Sequence, residues 1–224
     1  KNSKRSVRYR ATNYQTMLIR ALAKAGNTAK ALEVAGELMS WGEENKRTGV
    51  ICGAFNAAVD ACGKDASPLR QRALASGYNT VRFTALKRMA KCPHADATAK
   101  LTALLTPTAP LTTAEVAWAI GYRGDPKALG ALKAALANAA AADKAIIVTS
   151  IAQLGDAEFL FANLTSADAA IAAACKARLE FLSIPVLKAK LPSLMKSLTG
   201  DAKSGLMDLA ARRGIGGMTK KLMP

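Results

Sequence analysis

Histidine, aromatic rings and acidic residues are scarce in this sequence, and each scarcity removes a class of function. His94 is the single histidine in 224 residues. A lone imidazole leaves little for catalytic triads or multi-histidine metal centres, which need several such groups in one place. Aromatic residues make up 5%, so a grip on single-stranded nucleic acid by bases stacked on successive rings is not expected. The four cysteines, Cys52, Cys62, Cys92 and Cys175, form no C-x-x-C pair. Tetrahedral zinc usually takes its ligands as close pairs, and Cys92 with His94 has no second pair to complete it. Reduced structural thiols, no metal and no cofactor are the expectation. No apolar run reaches the roughly 20 residues that cross a bilayer. The richest stretch, residues 128–142, is interrupted by Lys133 and Asn138, so a soluble chain without membrane insertion is expected. Glu43-Glu44 reads as a solvated turn, because adjacent helical residues diverge by about 100 degrees and do not converge on one substrate. The sequence suggests no enzyme.

Basic residues are abundant by contrast, with 32 Lys plus Arg against 16 Asp plus Glu, net charge +16 and pI near 10.0. Such a balance concentrates polyanions and makes their binding salt-dependent. Half of the residues are hydrophobic and many are alanine, which argues for a folded body of close-packed helices rather than a disordered basic tail or a β-sandwich. The chain begins at Lys1 without methionine, which fits a cleaved organellar presequence and equally a truncation.

Helical periodicity predicts a helix over residues 13–26 with Met17, Leu18, Ala21, Leu22 and Ala25 inward and Gly26 as its stop. A second helix is predicted from the Asn27-Thr28 cap to Trp41, with Leu32, Ala35, Leu38 and Met39 inward and Gly42 as its stop. A turn this short makes the two an antiparallel hairpin whose remaining apolar surface calls for another pair. A third helix is predicted over 53–63, then a less regular basic stretch to Lys91, and a break at Pro93, Pro107 and Pro110. Helices are again predicted over 112–120, 127–138, 143–154 and 166–182. Ala119-Ile120-Gly121 and Gln153-Leu154-Gly155 look like equivalent helix ends 34 residues apart. Beyond Pro185 a short helix should start at Pro192. Trp41 and Trp118 are expected as packing anchors.

The expected class is all-α, an α-solenoid of stacked antiparallel helical hairpins. It divides into a basic arm (1–10), a helical-repeat region (11–105), an alanine-rich helical-repeat region (106–182) and basic C-terminal helices with a tail (183–224). From residue 1 to 105 there are 18 basic and 7 acidic residues, from 106 to 182 there are 6 and 7, and from 183 onward 8 and 2. The positive charge lies at the two ends, which suggests polyanion contact there and a spacer between.

The run Leu18-Ile19-Arg20-Ala21-Leu22-Ala23-Lys24-Ala25-Gly26, with Ala31-Leu32-Glu33-Val34 and Glu37-Leu38-Met39, is similar to a pentatricopeptide repeat. Residues 55–64, Phe-Asn-Ala-Ala-Val-Asp-Ala-Cys-Gly-Lys, resemble the first helix of a second copy, so the resemblance covers about 11–75. The later region resembles helical repeats of the HEAT or octotricopeptide kind, through residues 117–121 and 125–129. The pentatricopeptide resemblance implies organellar RNA binding, in a mitochondrion or alternatively a plastid. It places Met17 at the base-selecting position with Thr16 beside it, and the repeat end near Asn45, Lys46 and Arg47. One whole repeat is too few for a modular base code, since specificity accumulates repeat by repeat.

The candidate RNA contacts are therefore mainly cationic. Lys1, Lys4, Arg5, Arg8 and Arg10 form the arm, for which RNA contact is preferred over a solvated terminus. Arg82, Lys87, Arg88 and Lys91 can share one helical face, to track phosphates or simply to be solvated. Arg212, Arg213, Lys220 and Lys221 flank glycines that either admit a phosphate or merely end a helix. Thr16, Lys46 and Arg47 follow from the resemblance. The expected function is a structural RNA-binding component of an organellar ribosome, with rRNA and neighbouring proteins as partners. A free pentatricopeptide-type RNA factor and a protein-protein adaptor are the alternatives.

Overall fold

The computed structural model describes the backbone of residues 2–106 and 109–215, with the side chains of residues 13–106 and 109–215. Lys1, Lys220 and Lys221 lie outside the described residues, as do the side chains of Lys4, Arg5, Arg8 and Arg10. Among the described residues every regular element is a helix. Contacts divide the chain into two compact units, one running to Cys92 together with a short stretch before Thr113, the other taking Pro93 onward and the rest.

The first unit contains α1 (Asn2–Lys24), α2 (Thr28–Glu44), α3 (Thr48–Cys62), α4 (Ser67–Leu74) and α5 (Asn79–Ala90). Residues 2–10 are the first turns of α1, so the expected arm is helical and the predicted start at Asn13 lies inside the helix. Asn27 accepts a hydrogen bond from the Lys30 amide and caps α2, as the sequence suggests. The core joins Ile19 to Ala31, Ala35, Leu38, Met39, Ile51, Phe55, Ala57, Ala58 and Val81.

The helices form two layers. Thr84 Oγ1 donates to Cys52 Sγ at 3.4 Å, and Arg88 pairs with Asp60, tying α5 to α3 at sequence offsets of 32 and 28. Arg20 lies 3.8 Å from Asp60, and a methyl group on Gly53 would stand 3.8 Å from the Thr16 Cγ2, tying α1 to α3 at offsets of 40 and 37. These nearly constant offsets mean that α1, α3 and α5 run parallel, side by side. In the other layer Arg72 of α4 reaches α2, donating to the Gly36 carbonyl (3.2 Å), Ser40 Oγ (2.9 Å) and the Glu43 carboxylate (2.5 Å).

The second unit repeats the scheme with α6 (Ala97–Thr102), α7 (Thr113–Arg123), α8 (Leu129–Ala137), α9 (Ala141–Gln153), α10 (Ala157–Ala162), α11 (Ala169–Leu179), α12 (Ile184–Ser197) and α13 (Gly200–Arg212). Helix α9 packs on α7 and α11 in one row, with α8 and α10 against it, and α12 pairs with α13. Stacked antiparallel hairpins, the α-solenoid class of fold, thus build both units.

Several expectations change. On α1 the buried side is Ile19 with half-buried Leu22 and Ala23, while Met17 and Leu18 are 61% and 47% exposed and Ala21 and Ala25 are exposed too. Between Met17 and Ala25 apolar residues occupy more than half of the circumference of this helix, so periodicity alone does not choose its inner face. Gly42 does not stop α2, which continues to Glu44. It is buried where α2 meets α3, and a Cβ there would lie 2.6 Å from Ile51 Cγ1. Gly121 likewise lies within α7, where a Cβ would meet Ser150 Oγ at 2.9 Å on α9. The terminator equivalent to Gly155 (φ 89) is Gly124 (φ 75), not Gly121. Pro185, not Pro192, occupies the first turn of α12, and Pro192 sits inside that helix. Trp41 is 42% exposed, and half-buried Trp118 stacks on Tyr122 at 5.6 Å.

Candidate polyanion interface

The parallel register of α1, α3 and α5 turns scattered cations into rows. Arg20, Asp60 and Arg88 form one row across the three helices, with the two guanidinium groups on different oxygens of one carboxylate. Four residues beyond Arg20 and Asp60 and three beyond Arg88 come Lys24 at the end of α1, Lys64 in the turn after α3 and Lys91 just after α5, at the C-terminal ends of the three parallel helices. All three lysines are exposed. Neighbouring helix axes stand about 8–10 Å apart, so the row spans a distance that an RNA backbone crosses with several phosphates. On α5 exposed Thr80, half-buried Thr84 and exposed Lys87 and Lys91 follow spacings of four, three and four, which keep one helical face. Asp60 is the single acid in these rows, and no residue named in them is aromatic.

The structure splits the predicted α5 cluster. Lys87 and Lys91 are exposed, Arg88 is half-buried against Asp60 of α3, and Arg82 is 8% exposed and donates to the Ser76 carbonyl at 2.9 Å, closing the turn before α5. Lys46 and Arg47 are exposed in the turn between α2 and α3, where Lys46 adopts a φ of 53. Thr16 lies against α3 and its hydroxyl donates to the Asn13 carbonyl at 2.8 Å. Arg212 pairs with Glu180, and Arg213 donates to the carbonyls of Glu180 and Leu182, the latter at 2.9 Å. Those two arginines therefore fasten α13 to the end of α11, and they stand apart from the α1–α3–α5 rows in sequence and in unit.

Arg20, Lys24 and Lys64 were missed by local sequence reasoning. Their signal is one hairpin long: cations at 20 and 88 around an acid at 60, and at 24, 64 and 91, recur at the spacings that α1, α3 and α5 impose. The offsets from α1 to α3 (40) and from α3 to α5 (28 and 27) differ, so the helix register has to be known before these residues line up, and a search for charge runs does not find them.

Elsewhere cations are used internally. Lys133 of α8 pairs at 2.5 Å with Asp156, which also accepts the Phe159 amide at 3.0 Å to cap α10. Burial raises the Asp156 carboxyl, but the Lys133 ammonium and that amide outweigh it and leave it below the usual range. Lys144 of α9 pairs with Asp168, whose carboxylate caps α11 through the Ala170 and Ile171 amides. The Lys144 hydrogen bond is the main cause of its lowered pKa. Lys190 of α12 pairs with Glu158. Arg123 donates to Thr98 Oγ1 at 2.7 Å, and Thr98 donates to Asp125. The four cysteines are free thiols, and burial pushes Cys175 up to about 11, which leaves it protonated at neutral pH. Among the described residues no cluster of His, Cys, Asp and Glu could hold a metal ion, and no helix is long and apolar enough to cross a membrane.

Residues 66–152, from the turn before α4 nearly to the end of α9, match the family model of HEAT repeats. No curated protein matches the chain. Over those residues the chain is similar to HEAT repeats, in agreement with the helical hairpins found within each unit, and it is a helical-repeat protein.

Proposed function

We propose that this chain is a non-catalytic RNA-binding scaffold that holds structured RNA by its sugar-phosphate backbone across α1, α3 and α5. The observation that carries this reading is the pair of registered rows, Arg20–Asp60–Arg88 and Lys24–Lys64–Lys91, with five cations against one carboxylate on three parallel helices. Cations at fixed spacing position a phosphate backbone, whereas base selection needs polar or stacking groups at base edges. The rows supply the first kind of group and no aromatic ring of the second kind. The wider setting we propose is a ribonucleoprotein assembly. The pentatricopeptide-like pair at 11–75 favours an organellar one, with rRNA of a mitochondrial ribosome as ligand.

The test is fluorescence anisotropy with a 20-base-pair RNA duplex and a single strand of the same length. The duplex should bind at least as tightly as the strand, and K24Q/K64Q/K91Q should weaken both by on the order of tenfold near 100 mM salt, through loss of phosphate contacts. Unchanged affinity in that variant would sink the reading.

A second reading, a protein-protein adaptor, is favoured by the HEAT-repeat match and by the exposed apolar side of α1, where Tyr14, Met17 and Leu18 are 68%, 61% and 47% exposed. It predicts that M17Q/L18Q disrupts assembly with a protein partner while RNA affinity stays within about twofold, because the substitutions leave the charge of the rows unchanged.

A further inference from the structure

The turn between α11 and α12 carries the largest side-chain exposure of any big apolar residue described. Phe181 is 74% exposed, with Ile184 at 39% and Val186 at 37% just beyond it, and Pro185 is exposed between them. Leaving three such side chains in water forgoes burial worth roughly 1.5–3 kcal/mol for each when complete. The turn is nevertheless held firmly. Arg213 donates to the Glu180 and Leu182 carbonyls, and Arg212 pairs with the Glu180 carboxylate. The Arg178 guanidinium lies 4.4 Å from the centre of the Phe181 ring. Lys188 is exposed one turn along α12 from Ile184, on the same side. The tip is thus apolar, and its collar consists of Arg178, Arg212, Arg213 and Lys188 against the single acid Glu180.

We propose that this tip docks the protein on the surface of an anionic lipid bilayer, with Phe181, Ile184 and Val186 entering the interfacial layer and the collar meeting headgroup phosphates. Three observations select lipid. First, the apolar patch is an exposed turn with three large apolar side chains, too few to supply the roughly 800 Å² per partner that a stable protein interface buries. A bilayer accepts such a tip because it deforms around it. Second, entry into an apolar layer penalises unpaired backbone carbonyls, and here Arg213 already satisfies two of the turn's own. Third, the net charge of the collar is positive, and each Lys or Arg beside an anionic leaflet adds about 1 kcal/mol of attraction. The long Arg and Lys stems can lie along the tip while their charges stay in water. This is peripheral attachment, and it is independent of the RNA reading, since it uses the other unit and another chemistry.

The test is co-sedimentation of the full chain with phosphatidylcholine vesicles, with and without 30% phosphatidylglycerol, at physiological salt. The protein should partition onto the anionic vesicles and not onto pure phosphatidylcholine. F181D/I184D should lower that partition by about tenfold or more, from the lost apolar insertion, and R178Q/K188Q by a similar factor, from the lost charge. Because a chain of charge +16 adsorbs to any anionic surface, insertion is read separately with F181W. Lipids brominated along the tails should add quenching beyond that of Trp41 and Trp118 alone. Partition unaffected by F181D/I184D, or no added quenching in F181W, would overturn the proposal in favour of charge adsorption. A blue shift of F181W caused by single-stranded RNA and not by vesicles would overturn it in favour of base stacking on the ring.

Discussion

Two units built on one hairpin scheme both use cations in interhelical ion pairs, Arg20, Arg72 and Arg88 in the first among them, but they differ in how many acids stand against their cations. Up to Cys92 there are 17 basic and 6 acidic residues, and the registered rows leave Lys24, Lys64 and Lys91 exposed at one edge of three parallel helices. From Pro93 onward there are 15 basic and 10 acidic residues, and many of the cations close the structure itself. Lys133, Lys144, Lys190 and Arg212 each pair with a carboxylate of another helix or its cap. Asp156 and Asp168 serve twice there, as N-caps and as ion-pair partners. On the proposed reading a polyanion would sit where exposed cations outnumber the acids beside them, a place that the total net charge does not locate.

The comparison is broken most severely by charge reversal. K24E/K64E/K91E should lower RNA affinity by about a hundredfold or more at 100 mM salt, by loss of phosphate contacts and new repulsion, with the melting temperature unchanged. An equal reversal of exposed Lys127, Lys176 and Lys196 in the second unit should cost less than about a quarter of that in free energy. Equal losses from the two triples, measured by anisotropy, would erase the distinction.

The next effects concern what the units share. Gly42→Ala should destabilise the first unit and Gly121→Ala the second, each by about 1–3 kcal/mol, since a methyl has no space where the paired helices touch. Peptide-resolved hydrogen exchange should show lost protection in α2 and α3 for the former, and in α7 and α9 for the latter. A change confined to neither pair would refute the close approach.

Smaller effects separate internal from external charge. Lys144→Met removes a partner of Asp168 and should cost about 1 kcal/mol of stability in the second unit, while RNA affinity moves less than about twofold. Acidification acts through the same groups. Asp156 and Asp168 are held below the ordinary carboxylate range when folded, so their contribution is fully present above the unfolded pKa of about 3.9 and is lost as pH falls through the folded values. Exchange protection at the starts of α10 and α11 should therefore decline below about pH 4 and stay level between pH 5 and 7.

The helical class, the hairpin of α1 and α2, the Asn27 cap and most later helices were legible in the sequence because they rest on local spacing and capping chemistry. Helices α4, α5, α6 and α10 were not: α4 and α5 fall in the stretch that reads as irregular and basic, α6 in the break marked by Pro93, Pro107 and Pro110, and α10 spans six residues with a cap, Asp156, that resembles an ordinary turn acid. Gly42 and Gly121 were read as stops because glycine near a helix end signals termination. Only the neighbouring helix, with Ile51 or Ser150 against the Cα, shows why no side chain fits. The inner face of α1 was misplaced for a related reason, as Leu18 and Ile19 are equally apolar and only the position of α2 and α3 distinguishes them. The candidate interface was legible least. Lys87, Arg88 and Lys91 stood out as a local cluster, but Arg82 belongs to a turn, and the partners Arg20, Lys24 and Lys64 are reached only through the parallel register of three helices.

The most direct measurement is the salt dependence of RNA-duplex affinity for the wild-type chain, K24Q/K64Q/K91Q and K127Q/K176Q/K196Q. If the first unit's rows hold the phosphates, the slope of log affinity against log salt should become shallower by roughly 2 to 3 for the first triple. For the second triple it should change by less than about 1. Equal slopes for both triples, or no slope in the wild type, would contradict the account.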